Sequence, residues 1–286
     1  MIHRDGRLTG VGGLGIYWQA WLPEVDPRAA VVIAHGAAAH SRRYLHVAAR
    51  LVAEGYAVYA IDHRGHGRSE GSRGLIDRIS NTVTDLDALV VLAAAQHPGA
   101  QIFLLGHSMG ATIALRYALR HQKRLAGMIL SGPLAALPPT PAPLRIAGRL
   151  LSTVVPRMPL IDIDPALISR DPEVVAAYRS DPLVHHGKLP ARTVAEIADA
   201  IERFPDAVRA IAVPTLIAYG TDDALCPPAG SVMLGERIGA VDKTVCPYPG
   251  LYHEILNEPE HERVLDRLCG WLSARVVPAP LAPPAG

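Results

Sequence analysis

The chain has 286 residues, 49% of them hydrophobic and 19% charged, and its 28 Lys and Arg nearly balance 27 Asp and Glu. That composition excludes a mainly disordered polymer. A net charge of +1, with no run of five basic residues, argues against a dedicated nucleic-acid binder. The length suits one large α/β domain, alone or carrying an insertion.

No stretch of about 18 consecutive apolar residues is present, so a spanning helix is not expected. Met1–Gly10 lacks the apolar centre of a signal peptide. Cys226, Cys246 and Cys269 are odd in number and widely spaced, which suits neither a disulfide framework nor a zinc site. The expectation is a cytoplasmic protein in a reducing compartment.

In chain order, the segments about Gly6–Thr9 and Ile16–Trp21 alternate in polarity and read as an antiparallel edge hairpin. Runs apolar throughout follow at Ala30–Ala34, Ala57–Ile61, Ile102–Leu105, Gly127–Leu130, Thr215–Tyr219 and Thr244–Tyr248. Such runs suit parallel strands buried on both faces. Helical patterns separate them. Tyr44–Glu54 stops at Gly55, and about Asn81–His97 is closed by Pro98, with Ser80 or Asn81 as its expected cap. Ser108–His121 and Pro259–Ser273 are two further helices. The fold class is therefore α/β, a mostly parallel sheet flanked by helices.

Residues 131–213 break this alternation, beginning Pro-rich and continuing as short helices without a clear strand. About 80 residues of that kind between two core strands read as an inserted helical cap rather than a loop. The expected division is a core of 1–130 and 214–275, a cap of 131–213, and a disordered Pro-rich tail of 276–286. In Pro143–Val155, Leu144, Ala147, Leu151 and Val154 share one helical face while Arg145, Arg149 and Ser152 lie elsewhere. One reading is a lid whose apolar side meets an acyl chain or a membrane surface. The default is a helix packed on the core with its arginines in water.

The sharpest chemical signal is Gly106-His107-Ser108-Met109-Gly110, a G-x-S-x-G pattern between an apolar strand and a helix. A serine hydroxyl needs a base oriented by a carboxylate. Gly220-Thr221-Asp222-Asp223 follows one later strand and Pro249-Gly250-Leu251-Tyr252-His253 the next, giving the order Ser, Asp, His. His253 is preferred as base over His261, which falls inside the last helix. Asp222 and Asp223 compete for the acid, and spacing leaves both open. The oxyanion needs two amide donors. Met109 supplies one, and Ala37, in the loop His35-Gly36-Ala37-Ala38-Ala39, is the best candidate for the other. Asp62-His63-Arg64-Gly65-His66-Gly67 offers two histidines three apart but no further ligand set, so bracing of the site loops is preferred to a metal there.

These motifs jointly carry a resemblance. His35-Gly36-Ala37, His40-Ser41-x-Arg43-Tyr44, Asp62-x-Arg64-Gly65-His66-Gly67-x-Ser69-x-Gly71, Gly106-His107-Ser108-Met109-Gly110, Gly220-x-x-Asp223 and Tyr248-Pro249-Gly250-x-Tyr252-His253-Glu254, with Asn257-Glu258-Pro259 behind, resemble the monoacylglycerol lipase group of α/β-hydrolases. That group is also described as lysophospholipases or serine aminopeptidase-like hydrolases. The likeness runs from about residue 14 to 273 and is weakest across the cap. It implies an α/β-hydrolase fold, selects Asp223 as the acid, and places the oxyanion donors at Ala37 and Met109. One departure is Ala111, where the group usually has a second glycine. Cys226 stands where some relatives carry a thiol near the site, and is read as a modification point rather than a catalyst.

The expectation is thus a serine ester hydrolase acting on monoacylglycerols or related single-chain lipid esters, with no cofactor, no metal and no nucleic-acid partner. Transient membrane-surface contact through the cap is the one membrane role considered, and oligomeric state is left open. A carboxylesterase, lactonase or peptidase with the same triad is the nearer rival. A non-catalytic ligand-binding protein on the same scaffold is the distant one.

Overall fold

The computed structural model describes residues 1–137 and 141–277, without the side chains of Ala142 and Leu144. In chain order the elements are β1 (Ile2–Thr9), β2 (Gly15–Leu22), β3 (Ala29–Ala34), α1 (Leu45–Ala53), β4 (Tyr56–Ile61), α2 (Ile79–Gln96), β5 (Ile102–His107), α3 (Met109–His121) and β6 (Gly127–Ser131). Then come α4 (Ala142–Val154), β7 (Pro159–Ile161), α5 (Pro172–Ser180), β8 (Leu189–Pro190), α6 (Ala191–Ala207), β9 (Thr215–Gly220), α7 (Pro228–Arg237), β10 (Lys243–Tyr248) and α8 (His261–Ser273).

Eight strands form one sheet in the order β1-β2-β4-β3-β5-β6-β9-β10, antiparallel across β1-β2-β4 and parallel elsewhere. This is the α/β-hydrolase fold. Every residue of β3, β4, β5, β6 and β9 is buried because helices cover both faces. The side chains alternate between two cores. Ala30, Val32 and Ala34 face α2, α3 and α6, whereas Ala29, Val31 and Ile33 face α1 and α8.

Two of the expected strands differ in burial. The hairpin's outer strand is β1; β2 sits between β1 and β4 and is almost wholly buried. Conversely β10 is half exposed, because it closes the other edge and pairs only with β9. The cap of α2 also differs. The helix begins at Ile79, ahead of Ser80 and Asn81, and the Ile79 amide donates to Glu196 Oε2 of α6 at 2.8 Å. A distant carboxylate thus does the work expected of a local side chain. Helix α7 lies outside the elements expected above, although Pro228 in its first turn is a helix-start signal.

The segment between β6 and β9 is helical, with one short ribbon, β7 against β8, that the sequence did not suggest. Its α4 inverts the expected default. Arg149 Nε donates to Asp199 Oδ1 of α6 at 2.6 Å, Arg145 pairs with Glu202 at 3.3 Å, and Ser152 is buried. Ile146, Leu150, Leu151 and Val154 face solvent, Val154 at 79% exposure. Because α6 presents acids to it, α4 docks by its polar side. Of the expected tail, Val276 and Val277 are described, their amides donating to the Leu272 carbonyl and to Gln101 Oε1; residues 278–286 lie outside the described residues. Among the described residues, no helix is long and apolar enough to cross a membrane.

Candidate active site

Strand β5 turns into α3 at Ser108, whose φ of 55° and ψ of −120° lie in a region that L-residues rarely occupy. The turn is tight enough to fix its neighbours as glycine. A Cβ on Gly106 would stand 2.5 Å from the Gly110 carbonyl oxygen, and one on Gly110 would stand 2.0 Å from the Ala34 carbonyl oxygen. Ala111, the departure from the family pattern, is fully buried beside them. The strained backbone lifts the Ser108 side chain out of the sheet edge toward the loops that follow β3, β9 and β10.

Those loops bring the expected partners together. His253 Nδ1 donates to Asp223 Oδ2 at 2.8 Å, and both side chains are buried. Asp223 Oδ1 accepts the amides of Leu225 and Cys226 at 2.9 and 2.8 Å, so the carboxylate is held from both sides. Asp222, its rival, is exposed and takes the Thr221 hydroxyl. His261 donates to the Glu258 carbonyl at the start of α8 and is half-exposed. Cys226 stands between His253 and Ser108, its Sγ 3.7 Å from Ser108 Oγ and 4.0 Å from His253 Nε2. No direct hydrogen bond joins Ser108 to His253, a common condition of hydrolase sites before substrate enters.

Burial disfavours a charged His253, but the Cys226 sulfur and the Asp223 carboxylate outweigh it and hold its pKa well above the usual imidazole value. His107 packs against His253 with ring centroids 4.7 Å apart. Burial, helped by the charge of His253, pushes the His107 pKa down to about 3. The surroundings of His253 therefore stabilise the imidazolium it becomes on taking a proton, whereas those of His107 keep that ring neutral, a role the sequence did not reveal for His107.

Ala37 lines the cavity above Ser108, and Met109 is the first residue of α3. Among the described residues, neither amide donates to a protein acceptor. The Ala37 loop is braced from behind. His35 Nδ1 donates to the Gly36 carbonyl at 2.7 Å and its Nε2 accepts the His63 amide at 2.9 Å. Asp62 accepts the amides of Ser41 and Arg68, each at 2.7 Å. The His- and Gly-rich loop thus serves as a brace. The one cluster of potential metal ligands among the described residues is Asp223, Cys226 and His253. A cation there would compete with the His253–Asp223 hydrogen bond.

Above Ser108 the cavity is walled by Leu134, Leu137, Ile161, Ile163, Ile168, Leu189, Val194, Ile197 and Leu225. Most of these come from the segment between β6 and β9, and among the described residues none comes from α4. At the polar end, Glu254 lies beside His253. Its Oε2 accepts Arg43 Nη2 at 2.6 Å and Asn257 Nδ2 at 2.9 Å, and the Arg43 guanidinium sits 4.7 Å from the Tyr178 ring centroid. Burial alone would raise the Glu254 pKa, but the Arg43 charge prevails and holds it below the ordinary carboxylate range.

An eight-stranded hydrolase sheet carrying a strained serine turn, with an Asp–His pair in the later loops, defines a serine hydrolase of the α/β-hydrolase class. The chain belongs to the family described as serine aminopeptidase, S33, whose model matches residues 25–260. It is 44% identical over 269 residues to a monoacylglycerol lipase of Mycolicibacterium smegmatis, covering 94% of this chain and 96% of that one. A human monoglyceride lipase is 34% identical over 282 residues, covering 97% and 93%. The crystal structure of a Paleococcus ferrophilus monoacylglycerol lipase superposes with a TM-score of 0.81 at 32% identity, covering 91% of this chain and 99% of that one.

Proposed function

We propose that this protein hydrolyses monoacylglycerols through an acyl-enzyme on Ser108. The observation that carries the reading is a buried Asp223–His253 pair and a strained Ser108 on the floor of one apolar cavity. The names of its relatives support the substrate class. Residues 1–130 and 214–275 carry the chemistry, and 131–213 act as a cap that selects the acyl chain. Each methylene buried in the cavity contributes about 0.8 kcal/mol, so a long chain supplies much of the binding.

In acylation, Ser108 Oγ attacks the ester carbonyl while His253 Nε2 takes its proton. Asp223 orients the ring and stabilises the imidazolium, and the amides of Ala37 and Met109 receive the oxyanion. The tetrahedral adduct collapses, His253 returns the proton to the departing glycerol oxygen, and the acyl group stays on Ser108. Water, deprotonated by the same imidazole, then releases the fatty acid and restores the hydroxyl. Contact with a lipid surface through α4 belongs to the same proposal, supported by its four exposed apolar side chains.

Ser108→Ala should lower kcat by about 10⁶-fold with the melting temperature preserved. A serine-directed phosphonate should label Ser108 in the wild type. Label on another residue overturns the nucleophile, and activity confined to short aryl esters overturns the substrate class.

A further inference from the structure

Glu254 is a buried carboxylate in a cavity that is otherwise mostly apolar. Its Oε2 is committed to Arg43 and Asn257. Its Oε1 takes no protein donor among the described residues, and Glu254 is one of the residues that line the cavity. The backbone is fixed as well, the Glu254 amide donating to the Ile168 carbonyl at 2.7 Å. The other acid on the cavity wall, Asp162, is exposed at the outer rim.

In ester hydrolysis the leaving oxygen must collect its proton from His253, so the alcohol portion lies on the His253 side. Glu254 is the next residue in the chain. A buried acceptor with spare lone pairs gains most from a hydroxyl donor, and a bond to an ionised acceptor is stronger than a neutral one. A phosphorylated alcohol would instead bring negative charge against it.

We infer that Glu254 is the specificity residue for the departing alcohol, its Oε1 accepting a hydroxyl of an uncharged polyol and disfavouring a phosphorylated headgroup. This rests on the ester hydrolysis proposed above and deepens it. The substrate class is then a neutral glyceride rather than a lysophospholipid. Arg43 acts through Glu254, holding its carboxylate in place while stacking on Tyr178.

The test compares 1-monooleoylglycerol with methyl oleate, which form the same oleoyl-enzyme and differ only in the alcohol that leaves. In Glu254→Gln the ratio of kcat/KM for the glyceride to that for the methyl ester should fall by roughly 10- to 100-fold, the worth of one hydrogen bond to a charged group. Activity on oleoyl lysophosphatidate, relative to the glyceride, should rise. An equal loss on all three esters would mean that Glu254 only braces the fold, and an unchanged ratio would also overturn the inference. Should the variant not fold, the wild type still decides. The acyl-enzyme formed from a p-nitrophenyl ester should transfer to glycerol several-fold faster than to propan-1-ol at equal concentration, and equal partition overturns the role. Wild-type protein that cleaves methyl oleate but not monooleoylglycerol defeats the proposed substrate itself, a result distinct from either of these.

Discussion

Strand β3 buries all six of its residues, whereas helix α4 leaves Ile146, Leu150, Leu151 and Val154 in water and turns its arginines toward α6. Both segments are rich in apolar side chains, but their attachments differ in strength. A fully buried Val or Ile is worth about 1.5–3 kcal/mol. A half-exposed ion pair such as Arg149–Asp199 is worth about 0–1 kcal/mol. The sheet is therefore held by terms that no rearrangement can recover. Helix α4 rests on terms that a lipid surface could replace. The first kind of support lies beneath Ser108.

The sharpest way to break this contrast is to make the same substitution in both regions. Gly110→Ala would drive a methyl group into the Ala34 backbone, where the nearest atom is 2.0 Å away. No side chain can swing aside, so a loss of about 5 kcal/mol or more is expected, enough to leave little folded protein. In α4, a Cβ on Gly148 meets nothing within 4 Å. Gly148→Ala should stabilise that helix by about 1 kcal/mol or less through helix propensity. Paired thermal melts check both signs, and a well-folded Gly110→Ala would show that the serine turn is less constrained than its geometry states.

The core also carries an acid liability. Burial lowers His35, His66 and His107 to about 3 from an ordinary 6.5. Each is neutral in the folded chain but binds a proton in the unfolded one once the pH drops below 6.5. Their contribution to stability is therefore fully present above that pH and is lost as pH falls toward the folded value. At pH 5 the loss is about 2 kcal/mol for each histidine. His253, raised rather than lowered, has the opposite sign. Its contribution is lost as pH rises through its folded pKa and is complete below 6.5, so it cannot soften the acid limb. Melting temperature should fall steeply between pH 7 and pH 5, and His66→Gln should flatten the slope. A flat profile would mean that these rings reach water.

What the sequence made legible follows the same division. The buried strands could be read to within a residue or two because helices on both faces demand apolar side chains at every position. The turn around Ser108 was legible because close approach leaves only glycine at 106 and 110. Helix α4 admits two readings, an outward-facing lid and, by default, a helix packed inward, since its periodicity reports amphipathicity but not which side finds a partner; Asp199 and Glu202, some 50 residues away, decide that. The start of α2 was misplaced for a similar reason, its capping carboxylate being Glu196, 117 residues along the chain. Edge exposure of β10 depends on strand order, which no local pattern encodes. Glu254 stood within a recognisable motif, but its spare oxygen could be seen only once Arg43 and Asn257 had claimed the other.

The smallest expected effect on the fold separates cap from core most clearly. Leu150 and Val154 are 65% and 79% exposed and do not line the cavity. Leu150→Ser with Val154→Ser should change stability by no more than about 0.5 kcal/mol. Sedimentation with phosphatidylcholine vesicles should show roughly tenfold weaker binding, because burying two such side chains at an interface is worth about 1.5 kcal/mol even when half complete. Turnover of a dissolved short ester supplies the control, since it reports the core without requiring a surface. Equal vesicle binding by the variant and wild type would mean that the outward face of α4 is not a lipid-contact face. Its exposed side chains would then be spectators.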